Sequence, residues 1–497
     1  MQNSSIRHII ILGGGSAGWM SAASIANAIQ DNCKITVVES DRIGTIGVGE
    51  ATIPPIKGFN KSLGIDEHEF LKATKGTYKL GIEFVNWAKD EHSYFHPFGS
   101  YGVNFDPIPF YQFWLKEKHG SSLNDFSMAW HLAKNAKFER PQTDPSYIMS
   151  TFDYAYHFDA NLYADYLRKY TTAKGVERIE GTVESVYVDH QSGTIKSLTL
   201  ESGKTISADF FIDCTGFQSL LIEKALNSGY VDWRHWLPCD RAVAVQSAHS
   251  NRISPYTKSI ARPAGWQWQI PLQHRMGNGY VYCSKFITDE EAKNELIENI
   301  DGDLLTEPKV VHFKAGKRTE FWKGNCLSIG LSSGFLEPLE STSLHLVQTA
   351  ISRFLSLFPS DSEDVLSSQE YNRLTSDEYD EVRDFLILHY YANQRQEGEF
   401  WHMCAQTNIP DSLRYKIEQF AHNGRIVARE TDLFREANWV AVLVGQNIIP
   451  KNYDPLIDLR PKVQHKRFIK DIKQVIVESA KMAMTQADYI NKYCKSE

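Results

Sequence analysis

The amino-acid sequence predicts an α/β fold in which a doubly wound, mostly parallel sheet carries an associated, mostly helical region. Three observations predict it. An apolar run, Ile9 to Leu12, leads straight into Gly13-x-Gly15-x-x-Gly18 and an alanine-rich helical stretch. A second apolar run, KITVVES, follows, and from about residue 342 onward helical periodicity dominates. Unbroken apolar runs of this length read as strands buried on both faces, the environment of a parallel sheet covered by helices.

Each position of the glycine turn has a physical job. Gly13 permits the tight turn, Gly15 lets the backbone approach a pyrophosphate, and Gly18 lets helix and strand pack closely. Ser16 and Ala17 open the helix, whose unpaired N–H groups and dipole favour phosphate oxygens. Glu39 ends the second strand 21 residues after Gly18, the spacing at which an acid accepts hydrogen bonds from a ribose diol. The turn therefore reads as a dinucleotide site and not as a glycine-rich turn without a ligand.

Four later features point to FAD. GVGEATIPPI, residues 47–56, is a second glycine turn, with proline in the first turn of the helix after it; Gly49 and Ala51 belong to this strap. Residues 182–206 form a small meander, TVESVYVD, TIKSLTL and KTISA, whose Val183 is taken to the flavin side. ADFFIDCTGFQS is an apolar strand ending at Asp213, and GNCLSIGLSSGFLEPLE gives a late glycine turn at Gly330. Together they describe a Rossmann-like FAD fold of the hydroxylase type. There is no second GxGxxG for a resident nicotinamide, so the flavin is expected to be reduced by a separate protein. Residues 1–90 and 150–345 are assigned to the FAD module, and 91–149 and 346–497 to a largely helical substrate-binding region.

Between these landmarks, Asp66 with Glu69 reads as a capping box and Ile65 with Phe70 as a hydrophobic staple, starting a helix at residue 67 that Gly76 ends. Lys79 then lies just past the helix, ahead of an apolar strand, LGIEFVNW. Residues 90–150 are aromatic, proline-rich and irregular. YHFDANLYADYLRKY is an amphipathic helix capped near Asp159, GWQWQIPLQ and NGYVYCSKF are strands, and IKDIKQVIVESAKMAM is the last helix. In GWQWQIP, residues two apart on an extended chain face the same side, so Trp266 and Trp268 project together.

The bulk numbers exclude other classes. A net charge of −8 argues against non-specific nucleic-acid binding. Seven cysteines, an odd number without CxxC spacing, are neither a disulfide framework nor a zinc ribbon, so no metal site and a cytoplasmic location are expected. No apolar run is long enough to span a membrane.

GGGSAGW (13–19), GVGEATIP (47–54), Lys79 in YKLGIEF, WxWxIP (Trp266, Trp268, Ile270, Pro271) and EPLEST (337–342) stand in one order along the chain. In these motifs the chain resembles the flavin-dependent halogenases of the tryptophan-halogenase family. The resemblance implies that reduced FAD and O2 give a flavin hydroperoxide, which oxidises a bound halide to hypohalous acid. The acid passes to Lys79 and Glu340 for electrophilic substitution on an electron-rich ring, indole- or phenol-like. Glu337 is the competing carboxylate. The resemblance places the flavin and halide at the turn Ser341, Thr342, Ser343, Leu344, with Ser341 and Leu344 toward the flavin and Thr342 and Ser343 toward the halide. Ser343 stands where tryptophan-specific members usually have glycine, and bromide over chloride is expected. Trp266 and Trp268 are expected to shield the flavin from organic substrates, the alternative being two core tryptophans on a buried strand. His96, Phe98 and Trp439, with Trp401 and His402, are candidate liners of the substrate pocket, each open to the alternative of ordinary packing. A flavin reductase is the implied partner, a homodimer is compatible with the chain, and neither nucleic acid nor membrane is expected as a partner. Two other readings stand beside this one: a flavin-dependent monooxygenase or oxidase, and a flavin-binding protein without catalysis.

Overall fold

The computed structural model describes residues 6–29, 32–42, 49–104, 107–117, 121–249, 253–361, 364–459 and 462–496. The chain forms two compact units: Met1–Thr74, Phe158–Arg234 and Phe313–Asp380 make the first, and Lys75–His157, His235–His312 and Glu381–Glu497 the second. These boundaries differ from those expected at residues 90, 150 and 345. Residues 235–312, expected with the FAD module, fall in the second unit, and the helix Ser343–Ser356 falls in the first.

The first unit is built on a six-stranded sheet ordered Trp322–Lys323, Cys326–Ser328, Phe210–Asp213, His8–Leu12, Lys34–Glu39, Glu177–Glu180. Every pairing is parallel except that of Trp322–Lys323 with Cys326–Ser328. His8–Leu12 lies centrally, pairing Ile10 with Phe211 on one side and with Thr36 on the other. Ile9, Ile10 and Ile11 are fully buried, as two-sided cover requires. The helix Ser16–Ile29 leaves the carboxyl end of that strand, where strand order reverses and ligands of such sheets bind. The expected meander forms as Val183–Asp189, Thr194–Leu200 and Thr205–Ser207, all antiparallel. It buries Ile195, Leu198 and Leu200 in one cluster with Ile10, Leu12, Val38 and Phe211.

The second unit centres on a seven-stranded sheet ordered Lys309–His312, Arg241–Ser247, Met276–Tyr282, Gly265–Pro271, Thr257–Arg262, Gly81–Val85, Ser93–Pro97. One pairing, Thr257–Arg262 with Gly81–Val85, is parallel. Helices include Phe110–Glu117, Met128–Lys134, Glu436–Gly445 and Lys462–Met482. Among the described residues, no helix is long and apolar enough to cross a membrane.

Several local expectations need correction. Asp66 caps the helix Glu67–Ala73 by accepting from the N–H groups of His68 and Glu69, but Gly76 does not end it. Thr74 is the C-cap, and Lys75 takes the left-handed backbone at φ 52°. Lys79 lies past that helix and ahead of the strand Gly81–Val85, as expected, and itself ends a short strand, Thr77–Lys79, that the sequence did not suggest. The stretch 90–150 is less irregular than its prolines suggest, because Ser93–Pro97 joins the large sheet and two helices follow. A further helix, Gln486–Tyr493, comes after the one expected to be last.

Candidate active site

The glycine turn is open to a ligand at the one place it needs to be. Residues 13–17 are partly exposed between a buried strand and a buried helix face. Gly13 adopts φ 114°, and a Cβ there would lie 2.2 Å from the Cys214 carbonyl oxygen. A Cβ on Gly18 would lie 1.9 Å from the Gly13 carbonyl oxygen, so Gly18 sets the approach of helix to turn. Glu39 leans over the same turn, with a carboxylate oxygen 1.4 Å from where a Cβ of Gly14 would be. That carboxylate already has partners: Arg178 Nε donates to it at 2.5 Å and Trp19 Nε1 at 3.2 Å. A ribose diol would therefore share an oriented acid. Arg178 did not stand out in the sequence, and Trp19 entered only as the last residue of GGGSAGW.

Gly330, at φ 77°, faces this turn across the sheet end, where a Cβ would lie 2.8 Å from Ala17 Cβ. It follows the strand Cys326–Ser328, and the Ile329 N–H donates to the Asp213 carbonyl at 3.0 Å. The carboxyl ends of three parallel strands thus meet at Gly13, Asp213 and Gly330. Of the strap, Gly47 and Val48 lie outside the described residues; Gly49–Ala51 is a short strand, Gly49 is buried, and Pro55 opens the helix Pro55–Ser62. Val183 is partly buried against the core beneath the meander.

The turn before the helix Ser343–Ser356 is dense with buried polar groups. Glu337 is 1% exposed, and Glu340 and Thr342 are fully buried. Ser341 takes left-handed backbone at φ 60°, which costs a non-glycine residue about 1 kcal/mol. Leu344 is buried and Ser343 half-buried. Thr342 occupies the N-cap position with helical backbone and makes no side-chain capping bond, and its hydroxyl is buried without a protein partner. A 14-residue helix whose N-terminus lacks a side-chain cap, beside an unsatisfied hydroxyl, suits an anion or a flavin carbonyl. The donors present fit FAD and a halide at this end of the first unit.

In the second unit Lys79 is fully buried, and its Nζ lies 5.1 Å from the centroid of the Phe98 ring. Phe98 is held beside it because its N–H donates to the Leu80 carbonyl at 2.9 Å. On the same strand face as Lys79, the Thr77 hydroxyl donates to the Pro271 carbonyl at 2.7 Å and contacts His157 Nδ1 at 3.1 Å. Burial, reinforced by the charge of Lys79, holds the His157 imidazole well below its usual pKa, and so neutral. Trp266 and Trp268 share one face of the strand Gly265–Pro271, 1% and 8% exposed, with ring centroids 6.1 Å apart. Trp266 continues into Trp87, which packs edge-on against Trp401.

Of the remaining pocket candidates, His96 and Trp439 pack on one ring, that of Phe385. Trp439 is fully buried, bonds the Phe434 carbonyl through Nε1 and packs on Phe385. Trp401 is fully buried and bonds the Arg262 carbonyl. His402 points to solvent. His96 is 2% exposed and bonds Asn438 at 2.9 Å. Phe98 is in ring contact with Lys79.

The tryptophan halogenase family model matches residues 8–462. The chain is 34% identical over 496 residues to the tryptophan 7-halogenase RebH of Lentzea aerocolonigenes, covering 92% of each. The flavin-dependent halogenase Xcc4156 from Xanthomonas campestris matches with a TM-score of 0.96 and 40% identity over 99% of both chains. BrvH, a flavin-dependent halogenase from Brevundimonas sp. BAL3, matches with a TM-score of 0.94 and 40% identity over 98% of this chain and 99% of its own. Enzymes of this family use reduced FAD, O2 and a halide and need a separate flavin reductase and an aromatic substrate. The chain belongs to the tryptophan halogenase family and is a flavin-dependent halogenase.

Proposed function

We propose that the enzyme halogenates a small electron-rich aromatic, indole- or phenol-like, with Lys79 and Glu340 as its catalytic residues. The carrying observation is Lys79 itself: a fully buried cation whose Nζ lies over the Phe98 ring. A buried ammonium interacts strongly with a small polar oxidant because little water screens it, and a partly desolvated amine is readily made nucleophilic. Bound reduced FAD supplies, with O2, the oxidising equivalent that turns halide into hypohalous acid. Lys79 holds that acid, the Phe98 face suits a flat substrate ring, and the Glu340 carboxylate orients the oxidant or takes the ring proton. Gly13, Gly15, Ser16, Ala17, Gly18 and Glu39 hold the dinucleotide. Gly49, Ala51, Val183, Gly330, Ser341 and Leu344 lie toward the flavin, and Thr342 and Ser343 toward the halide. The hydroxyl at Ser343 adds a donor and bulk at the halide site, which supports bromide over chloride. The indole pair Trp266 and Trp268 passes halide and hypohalous acid and excludes organic molecules. Seven buried cysteines, all thiols, support a cytoplasmic location, and a homodimer is the proposed assembly.

The test mixes the protein with FAD, NADH, a flavin reductase, O2 and indole, with bromide and chloride supplied separately, and reads products by mass spectrometry. The expected product carries the halogen isotope pattern, more of it with bromide, and disappears in Lys79→Ala. A product heavier by one oxygen and indifferent to halide would make the chain a monooxygenase in practice. Intact halogenation in Lys79→Ala would remove the role given to that lysine.

A further inference from the structure

A histidine that no motif marks sits at the centre of the second unit's polar network. His157 is fully buried and stands opposite Thr77 in the antiparallel pairing of Thr77–Lys79 with Ala155–Asp159. Side chains two apart on a strand share a face, so Thr77, Lys79, Ala155 and His157 all lie on one face of this pair. Opposite Lys79 stands Ala155, whose single methyl leaves the lysine stem its space.

The hydrogen bonds fix the imidazole's tautomer. Thr77 has one hydroxyl hydrogen, and it goes to the Pro271 carbonyl at 2.7 Å. The contact of Thr77 Oγ1 with His157 Nδ1 at 3.1 Å must then be donated by the ring, so Nδ1 carries the proton. Nε2 is left as an acceptor and takes the Thr257 hydroxyl at 2.9 Å. Thr77, His157 and Thr257 are each at most 4% exposed, so no water competes for these bonds. The ring bonds two strands directly, at Thr77 and Thr257, and by donating to Thr77 it leaves that hydroxyl to reach a third at the Pro271 carbonyl. Thr77 belongs to the strand that ends in Lys79, Pro271 ends the strand of Trp266 and Trp268, and Thr257 begins the strand paired to both Gly81–Val85 and Gly265–Pro271.

We propose that His157 is a positioning residue for halogenation, a clasp that holds the Lys79 strand against the end of the tryptophan strand. The proposal rests on the role of Lys79 given above. The lysine strand is three residues long, too short for its own ladder to fix a side chain to a fraction of an ångström. Around it, the Tyr78 N–H donates to Gln486 Oε1 at 3.0 Å and the Leu80 N–H to the Pro255 carbonyl at 2.8 Å, while Gln273, just past the tryptophan strand, donates through its N–H and Nε2 to the Lys75 and Gly76 carbonyls at 3.0 and 2.7 Å. Within the strand Thr77–Lys79, the bond that reaches the tryptophan strand is the one from the Thr77 hydroxyl that His157 orients. Losing the clasp lets the Lys79 ammonium drift from the path of the oxidant, so hypohalous acid escapes before it meets the substrate. Neutrality is part of the design, because a second cation on this face would repel the one that does the work.

The experiment compares His157→Phe, His157→Gln and Thr77→Val with the parent enzyme, each supplied with reductase, FAD, NADH, bromide and indole. Two quantities are read per NADH oxidised: brominated indole, and free oxidant trapped by an added excess of a bromine-scavenging dione. His157→Phe is expected to lower the product yield about tenfold and raise trapped oxidant in proportion. His157→Gln, whose amide can donate to Thr77 and accept from Thr257, restores at least a third of the yield. Thr77→Val keeps the imidazole and the side-chain volume, and lowers the yield as His157→Phe does; it carries the test if His157→Phe does not fold. An unchanged ratio of product to trapped oxidant would overturn the proposal. So would a loss of product, oxidant and melting temperature in step, which is what a merely structural histidine gives. Lys79→Ala in the same series separates the two levels: if it keeps full yield, the reading of Lys79 fails, whereas its silence beside a normal His157→Phe refutes the clasp alone.

Discussion

Gly18→Ala asks whether the glycine turn is a cofactor site or a packing detail. A Cβ at this position would stand 1.9 Å from the Gly13 carbonyl oxygen, which is backbone and has no free rotation to offer. Carbon and oxygen settle near ~3.3 Å, so the helix start has to move away from the turn by more than about 1 Å. Overpacking of this kind costs about 1–3 kcal/mol of stability. The larger effect falls on the ligand. The same shift withdraws the N–H groups around Ser16 from the proposed phosphate site, and losing one or two charge-assisted hydrogen bonds worth about 1.5–3 kcal/mol each would weaken FAD by roughly 10-fold to ten-thousandfold. Gly58→Ala is the matched control. Gly58 lies in the helix Pro55–Ser62, exposed, and a methyl there would meet nothing within 4 Å, so alanine should stabilise by up to ~1 kcal/mol and leave FAD untouched. Flavin fluorescence titrations and melting curves with and without FAD read both. Gly18→Ala binding FAD within twofold of the parent, at an unchanged melting temperature, would refute the reasoning.

Two further outcomes follow from the site and from the second unit. Trp266→Ala with Trp268→Ala should let organic molecules reach the flavin: oxygenated indole or excess peroxide should appear, and unchanged halogenation without either would count against the shielding role. Glu381 is 7% exposed and accepts the N–H groups of Leu433 and Phe434, yet burial pushes its carboxyl up to about 7. The folded state thus keeps a proton that the unfolded chain releases near 4.5, and the stability this proton confers is present below that pH and lost as pH rises through 7. Glu381→Gln should therefore gain on the parent between pH 5 and pH 8, by about 3 kcal/mol at most; urea denaturation at the two pH values measures it, and an equal difference at both would show that the carboxylate is already ionised at pH 5.

Much of the fold is legible because its signals are local. Ile9 to Leu12, the glycine spacing and Glu39 lie within a few dozen residues, and each is dictated by what a buried parallel strand or a turn beside an anion demands. The meander and the helices capped by Asp66 and Asp159 are legible for the same reason. Domain boundaries are not. The strand Gly265–Pro271 joins Gly81–Val85 through Thr257–Arg262, a pairing across 175 residues that no local pattern encodes, and it carries 235–312 into the second unit. Trp439 and Trp401 show the same limit at single residues. A tryptophan in an apolar helix can face a ligand or a core, and Phe385, Phe434 and the Arg262 carbonyl decide for the core.

By itself the sequence determined the nature of the protein: a dinucleotide turn, a flavin-type α/β sheet, paired indoles on one strand face and the ordered motifs of a halogenase. Those properties depend on residue type and spacing along the chain. Only the tertiary structure decided which groups act on one another. It set Phe98 beneath the Lys79 ammonium, engaged Glu39 with Arg178, and gave Lys79 a neutral histidine 78 positions away as its neighbour. The physical reason is that burial, charge and hydrogen-bond geometry act through space over a few ångströms, and strand pairing brings within that range residues that the chain keeps far apart.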